Sequence, residues 1–545
     1  MSAITVLGVG GFLHDGSISV IQGDEITTAI ELERLNRSKH SGWKTPEEIL
    51  HAIQALHIDM NAVTHIAWAD EFLFYHSPKT RKLAEWVRKA FPNKIQIGID
   101  HHMCHLASSF YASTFEQAAL VSIDGKGDMK SVAIGHGQGN KISLISKVNS
   151  CYSLGRLWNA TNSIMGMPGY QNSGKTMALA AFGTPKYLGF FLDFTKFLEN
   201  GMFMFKDRGY EDAHDFDQML FNSKQLIIRY ICDKIGIEPR DQNGSISQKH
   251  FDFVASLQAF TNMLVKHIIK AALELTGLKK VCMAGGVALN GLANMSVLEN
   301  LEMEDIFIQP ATGDTGLSLG ASYYMYHHIL EQPRQFSIFS PYLGKSFSDE
   351  EIELVIKSYG LSFSKEENVC HAAARLIADE KIIGWFQGRD EMGPRSLGNR
   401  SILCTPEKAY MKNNINQNVK HREWFRPFAP AVLEEHAQEY FEINRSSRYM
   451  LFMPKIRPEK ICVIPAVAHT DNTARVQTVL EDLNPKFYRL IKEFHKITGI
   501  PILLNTSFND GGQPIVHSPG DAIECFLNTG IDCLIIGDYL IAKRK

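Results

Sequence analysis

Residues 118–148 read AALVSIDGKGDMKSVAIGHGQGNKISLISKV. Three apolar or alternating runs, AALVSIDG, SVAIGH and ISLISKV, are parted by the polar turns KGD and GQGN. Short runs of this kind, bounded by Gly, Asp and Asn, predict strands joined by tight turns. The stretch thus predicts a three-stranded meander with a Gly/Asp tip after its first strand. The same order opens the chain: ITVLGVG, the turn GFLHDG, the alternating SISVIQ, the turn GDE and ITTAIELERL fill residues 4–35.

Repetition of a unit governs how the rest of a chain is read. Two such meanders, each followed by helical sequence, predict a duplicated pair of α/β lobes. That is the plan of the actin/sugar-kinase/Hsp70 superfold (ASKHA), in which a nucleotide lies between lobes with hairpin tips facing its phosphates. A helical pattern dominates from about 215 to 280, including FVASLQAFTNMLVKHIIKAALELTG, stopped at Gly277. KKVCMAGGVALNGLANMSVLENL reads as strand, glycine turn and helix start, and IFIQPATGDTGLSLGASYYMYHHIL repeats that logic. EQPRQFSIFSPYLGKSFSDEE, roughly 331–351, has turn residues and no period, and marks a domain boundary. A second α/β unit follows, with strands in KIIGWFQG, PILLNTSF and CLIIGDY.

With 545 residues the chain exceeds one core, so two domains are expected. Hydrophobic residues at 45% and charged residues at 21% are ordinary for a globular protein. A net charge of -3 advertises no polyanion, so no nucleic-acid partner is expected. No apolar run approaches the roughly 18 residues of a membrane span, and the N-terminus lacks a signal-peptide pattern. Nine cysteines without a C-x-x-C pair argue against a zinc ribbon or a disulfide framework. A cytoplasmic α/β protein is the expectation.

GYQNSGKT (169–176) satisfies G-x-x-x-x-G-K-[ST] letter for letter. A phosphate-cradling loop also needs a buried strand before it and a long helix after it. Here RLWNATNSIMGMP is a polar approach ending in proline, and MALAAFGTP reaches Gly183 and Pro185 within about ten residues. The match is rejected as a P-loop.

Other clusters carry chemistry better. In HHMCHLASSFY, His101 and His105 stand at i and i+4, on one face if the stretch is helical, with Cys104 pointing elsewhere. Asp124, at the tip SIDGKGD, and Asp314, in ATGDTG, complete a His2Asp2 set suited to iron(II), manganese or zinc. In GGVALNGLAN, glycines allow close backbone approach to a ligand and the following helix start favours an anion. GRDEMGPRSLGNRSIL carries Arg389, Arg395 and Arg400, and KHREWFRPFAP adds Lys420, Arg422 and Arg426. With Arg475 and the turn LNTSFN (504–509), these cations, set among glycine, proline and aromatics, predict a site for a small phosphorylated substrate.

Taken together, HDGS (14–17), ERLNRSKH (33–40), HHMCHLASSFY (101–111), SGKTMALAAFG (173–183), AGGVALN (284–290), GDTG (313–316), GRDEMGPRSLGNRSIL (388–403), REWFRPFAP (422–430) and LNTSFN (504–509) resemble the O-carbamoyltransferase family. That family includes the tobramycin, cephamycin and nodulation-factor enzymes. The resemblance implies a TsaD-like domain of the ASKHA superfold over 1–335, and a YrdC-like domain with a twisted open sheet over 336–545. It implies that carbamoyl phosphate and ATP form carbamoyl-adenylate in the YrdC-like domain, releasing pyrophosphate. A small-molecule hydroxyl then accepts the carbamoyl group in the TsaD-like domain. Position by position, Lys420, Arg426, Arg475 and Ser507 would hold carbamoyl phosphate, and Arg395 and Asn505 ATP with its Mg2+. Lys39, Gly174, Lys175, Gly285, Gly286 and Asn290 would line the adenylate pocket. His101, His105, Asp124 and Asp314 would hold Fe2+ or a related ion, and His14 would be the general base. A monomer or homodimer is expected.

The competing readings are a threonylcarbamoyl or hydrogenase-maturation carbamoyltransferase, and a sugar-kinase-like or Hsp70-like ATP-binding protein. A hydrogenase-maturation enzyme should carry paired C-x-x-C zinc motifs, which this chain lacks.

Overall fold

The computed structural model describes residues 4–69, 82, 85, 86, 89–205 and 216–543. The first sheet contains β1 (Thr5–Gly10), β2 (Ser17–Gln22), β3 (Glu25–Glu31), β4 (His65–Ala69) and β5 (Ile95–Ile99), in the order β3-β2-β1-β4-β5. The quoted meander forms β6 (Gln117–Gly127), β7 (Lys130–Gln138) and β8 (Lys141–Asn149). A short antiparallel pair follows, β9 (Thr195–Phe197) and β10 (Phe203–Phe205). Then β11 (Lys280–Ala284) and β12 (Asp305–Ile308) join the meander in the order β12-β11-β6-β7-β8. The two five-stranded sheets therefore share one plan. The first strand of each meander is central, with two later strands on its other side. β4–β5 and β11–β12 are parallel, whereas β2–β3 and β6–β7–β8 are antiparallel.

Residues 118–123 of β6 are all buried, as a continuous apolar run in a central strand requires. β8 alternates less cleanly and leaves Leu144 and Ile145 exposed at the sheet edge.

The C-terminal sheet has eight strands: β13 (Ser364–Lys365), β14 (Ile383–Phe386), β15 (Arg400–Cys404), β16 (Ala429–Leu433), β17 (Gln477–Val479), β18 (Ile502–Ser507), β19 (Cys533–Ile536) and β20 (Tyr539–Ala542). Their order is β13-β20-β19-β14-β15-β18-β16-β17, with β14–β19 and β16–β17 parallel among antiparallel neighbours. The helix Pro485–Thr498 leads into β18; Asn484 caps it, Pro485 opens it and Gly499 ends it at φ 78°. KIIGWFQG, PILLNTSF and CLIIGDY supply β14, β18 and β19, as expected.

By compactness the chain forms two units. One contains Met1–Leu7, Gly11–Thr64 and Phe339–Lys545; the other contains Gly8–Gly10 and His65–Ile338.

Two sequence expectations change in detail. The polar approach RLWNATNSIMGMP is largely helical, since Leu154–Ile164 is a helix capped by Ser153. Its Leu154, Leu157, Trp158 and Ile164 are buried at helical spacing. The helical tract splits into Phe216–Ile235 and Gln248–Thr276, and its residue 215 lies outside the described residues.

Candidate functional site

The four predicted metal ligands are brought together. Asp100 caps the helix His101–Phe110 by accepting from the Met103 amide (3.0 Å), and Asp128 accepts from the His101 amide (2.7 Å). These two carboxylates fix the start of the helix and so the direction of its first imidazole. Gly127 faces His101 so closely that a Cβ would collide with the ring. Gly320, on the helix Leu317–Tyr323, lets that helix press on the Cys104 carbonyl. Asp314 stands on the turn just before it.

The result is a compact donor set. His101 Nε2 lies 3.1 Å from His105 Nε2, 3.4 Å from Asp124 Oδ2 and 3.8 Å from Asp314 Oδ1, and His105 Nε2 lies 3.5 Å from Asp314 Oδ1. One ligand atom from each of the four falls within 4.8 Å of the others. His101 and His105 are almost fully buried, and His105 Nδ1 has no hydrogen-bond partner. Burial opposes charge on Asp124, but His101, His105 and the Gly286 amide (2.8 Å) hold its carboxyl well below the usual range. Two imidazole nitrogens facing each other between two carboxylates fit one divalent transition-metal ion by number, softness and spacing. His102 is not part of the set. It bonds Ser122 Oγ (2.9 Å), and burial first, then His101, pushes its pKa down to about 3.

The residues expected to line an adenylate pocket divide. Gly285 (φ 90°) packs against the Ile123 carbonyl, and Gly286 abuts Asp124, so this glycine turn adjoins the His2Asp2 set. Gly174 and Lys175 lie on the seven-residue helix Ser173–Leu179, with open space at Gly174. A helix, Leu154–Ile164, precedes GYQNSGKT, so neither flank of a P-loop is present. Asn290 is engaged in structure. Its Oδ1 accepts from Ala293 N (3.1 Å) and Gln258 Nε2 (3.1 Å), and its Nδ2 donates to Gln258 Oε1 (3.0 Å). Lys39 keeps different company: burial, then Arg426, Arg34 and Arg395, lowers its pKa, against an upward pull from Glu33.

Lys39 thereby joins the second cluster, built around β18. Lys420 is 2% exposed and donates to the carbonyls of Ser507 (2.8 Å) and Asn509 (2.6 Å), and to Asn509 Oδ1. It braces the turn that presents Ser507, whose Oγ donates to Asn509 Oδ1 (2.7 Å). Arg475 donates to the Met450 carbonyl (2.9 Å), and Asn505 donates to Ser396 O and Gln477 Oε1, leaving its buried Oδ1 without a partner. Arg395 Nε is likewise buried and unpartnered. Burial, followed by cationic neighbours, lowers the pKa of Lys420, Arg422, Arg475 and Arg395, the last to about 10. Arg426 is lowered by burial against the opposing pull of Glu423. Buried cations that also lower one another's pKa suit an anion as their partner.

The arginines of GRDEMGPRSLGNRSIL are therefore not one set. Arg400 is fully buried and paired with Asp390 (2.7 Å), which also pairs with His517. Arg389 donates to the carbonyls of Gly344 (2.8 Å), Leu343 (2.7 Å) and Thr27 (2.8 Å). Both are framework, and Arg395 alone of the three faces the other cations.

A third constellation escaped the reading of single residues. His14 Nδ1 meets Asp15 Oδ2 at 2.9 Å, and His40 Nδ1 meets Asp15 Oδ1 at 2.6 Å. Glu33 Oε2 accepts from the His40 amide (2.8 Å). Asp15 (φ 55°) and His40 (φ 57°) both occupy the left-handed region, and Gly42 lets its loop lie directly on the Leu13–His14 peptide. Despite burial, the two imidazoles hold the Asp15 carboxyl far below the usual range. HDGS and ERLNRSKH carried the signal, because both place a histidine beside ionisable residues.

A mixed α/β protein with a His2Asp2 donor set and a separate polycationic site is the class these observations define. Family models described as "Carbamoyltransferase N-terminus" and "Carbamoyltransferase C-terminus" match residues 81–323 and 374–543. Nodulation protein NolNO of Sinorhizobium fredii is 35% identical over 98% of this chain and 79% of its own length. Nodulation protein NolO of Bradyrhizobium diazoefficiens is 37% identical over 82% and 79%, respectively. An uncharacterized Synechocystis protein is 31% identical over 99% and 96%. The chain belongs to the carbamoyltransferase family. Among solved structures, HypF from T. kodakarensis aligns at TM-score 0.33 and 12% identity, over 59% of this chain and 47% of that one, too weak a likeness to bear on the fold.

Proposed function

We propose that this chain is an ATP-dependent O-carbamoyltransferase acting on a hydroxyl of a small molecule. The observation that carries the reading is the group of buried cations Lys39, Arg395, Lys420, Arg422, Arg426 and Arg475, which suits a compact polyanion. Carbamoyl phosphate and the triphosphate of ATP with Mg2+ have that chemistry. In this reading carbamoyl phosphate, after losing its phosphate to water, supplies the carbamate that displaces pyrophosphate from ATP. The product is carbamoyl-adenylate. Lys420 braces the Ser507 turn, Arg426 and Arg475 offset the carbamoyl phosphate charge, and Arg395 takes the ATP phosphates. Residues 336–545 would then be a YrdC-like activating domain, and 1–335 a TsaD-like transfer domain of the ASKHA plan. The repeated sheet order supports the latter.

Transfer needs an alcohol to lose its proton as it attacks the carbamoyl carbon, with AMP leaving. An alcohol is a weak nucleophile at neutral pH, and a positioned histidine contributes roughly 10²–10⁴-fold. The Asp15 bond to His14 Nδ1 fixes the ring and directs basicity to Nε2, which suits His14 to that task. Gly174, Lys175, Gly285 and Gly286 would hold the adenylate. A metal held by His101, His105, Asp124 and Asp314, iron(II) or a related ion, would supply Lewis-acid polarisation of the carbonyl or phosphoryl oxygen.

Incubating a metabolite extract with enzyme, ATP and carbamoyl phosphate should yield pyrophosphate and AMP, and a new species heavier by one carbamoyl unit. ADP formed without carbamoyl phosphate would instead assign a kinase or ATPase. Lys420→Ala should abolish pyrophosphate release. His14→Asn should leave that release intact while the mass gain disappears.

A further inference from the structure

Strand β3 ends at Glu31, and the short helix Leu32–Asn36 carries Arg34 back over it. Both side chains are buried, and Arg34 Nε pairs with Glu31 Oε2 at 3.2 Å. One further polar atom of each reaches the same distant residue. Glu31 Oε1 accepts from the Gly393 amide at 2.6 Å, and Arg34 Nη2 donates to the Gly393 carbonyl at 2.9 Å. Gly393 has φ 108°, which strongly favours glycine, and Pro394 follows with no amide hydrogen. Across Gly393, Pro394 and Arg395, the backbone hydrogen bonds among the described residues are these two. The flanks are tied elsewhere: Met392 N to Pro341 O (2.7 Å), and Leu397 N to Glu391 Oε1 (2.8 Å).

We infer that Glu31 and Arg34 are positioning residues for ATP activation: by gripping both polar groups of Gly393 they set the direction of Arg395 in the polycationic site. The inference rests on the reading of that site given above. A buried ion pair is a costly way to gain stability alone, since well-packed apolar residues do as well or better. Here it spends its hydrogen bonds on the peptide that introduces Arg395. Glu31 is faced by Arg34, Glu33, Asp15 and the Gly393 amide, and Arg34 by Glu31, Glu33, Asp390 and Glu391. Burial pushes the Glu31 carboxyl up to about 7 even with Arg34 beside it.

The test uses the full chain and two readouts. Calorimetric binding of tripolyphosphate requires no turnover, and pyrophosphate release from ATP and carbamoyl phosphate measures the step itself. Glu31→Gln, nearly the same shape, and Arg34→Lys, the milder alternative should the first fail to fold, should each weaken tripolyphosphate about tenfold. In an Arg395→Ala background the same substitutions should add less than twofold, because they act through Arg395. Equal losses in both backgrounds, or no loss in a folded variant, would overturn the inference. A wild-type chain that binds tripolyphosphate but releases no pyrophosphate would defeat the proposed reaction, while the binding cycle still decides the positioning role.

Discussion

Asp15 serves two imidazoles at once, and its substitution separates the two half-reactions. Asp15→Asn should leave pyrophosphate release near wild type and slow carbamoyl transfer about 100-fold or more, followed as mass gain in the acceptor. His40→Asn keeps a donor close to the place of Nδ1 and should preserve most of that rate, whereas His40→Leu should not. At the donor set, His105→Ala or Asp314→Ala should reduce the metal content of purified protein, measured by elemental mass spectrometry. The residue scale also shows what the sequence hides. His101 and His105 were legible because helical spacing puts i and i+4 on one face, and the glycines beside Asp124 and Asp314 marked turns. Arg389, Arg395 and Arg400 look alike in one motif, and only burial and partners sort two framework arginines from the one facing the cluster. Asp15 and His40, 25 positions apart, share no period that announces their contact.

Among the elements, the crossing of His101–Phe110 with Leu317–Tyr323 decides whether the donor set forms. Gly320→Ala would drive a methyl into the Cys104 carbonyl, so a loss of about 1–3 kcal/mol is expected in denaturant unfolding, together with reduced metal content. On the helix Gln248–Thr276, Asp252 accepts from Thr184 N (3.0 Å), Gln248 Nε2 (2.9 Å) and Lys186 Nζ (2.6 Å). Burial opposes its charge, but these partners bring its carboxyl from 3.8 down to about 2. The native state thus holds fewer protons than the unfolded chain in that interval, and the stabilisation is present above pH 3.8 and lost as pH falls through 2. Asp252→Asn should therefore lower the unfolding midpoint at neutral pH and leave it unchanged below about pH 2. Strands were readable where apolar runs met Gly/Asp turns, as in β6 to β8. The helix Leu154–Ile164 was not, because Asn159 and Asn162 lower its apparent apolarity. Asn162 spends its amide on Gly169 O (2.9 Å) and Ser173 Oγ (3.0 Å), contacts that only the folded chain supplies.

At the scale of the molecule, the repeated sheet order could be anticipated because a meander is local, with each strand beside its neighbour in sequence. The association of residues 11–64 with 339–545 could not, since it rests on pairs such as Arg37 with Ile515 O (2.6 Å) and Pro514 O (3.0 Å). A chain deleted of residues 1–64 should show faster amide exchange at Ile402 and Leu503 than the full chain, read by hydrogen-exchange mass spectrometry. The same discontinuity has a consequence during synthesis. The ribosome adds on the order of 270 residues between Thr64 and Phe339, which at about 5–20 residues per second takes roughly 15–55 s. Throughout that interval the buried Glu31–Arg34 pair lacks Gly393, and Arg37 lacks Pro514 and Ile515, so these side chains keep their charges without their folded-state partners until the C-terminal residues emerge.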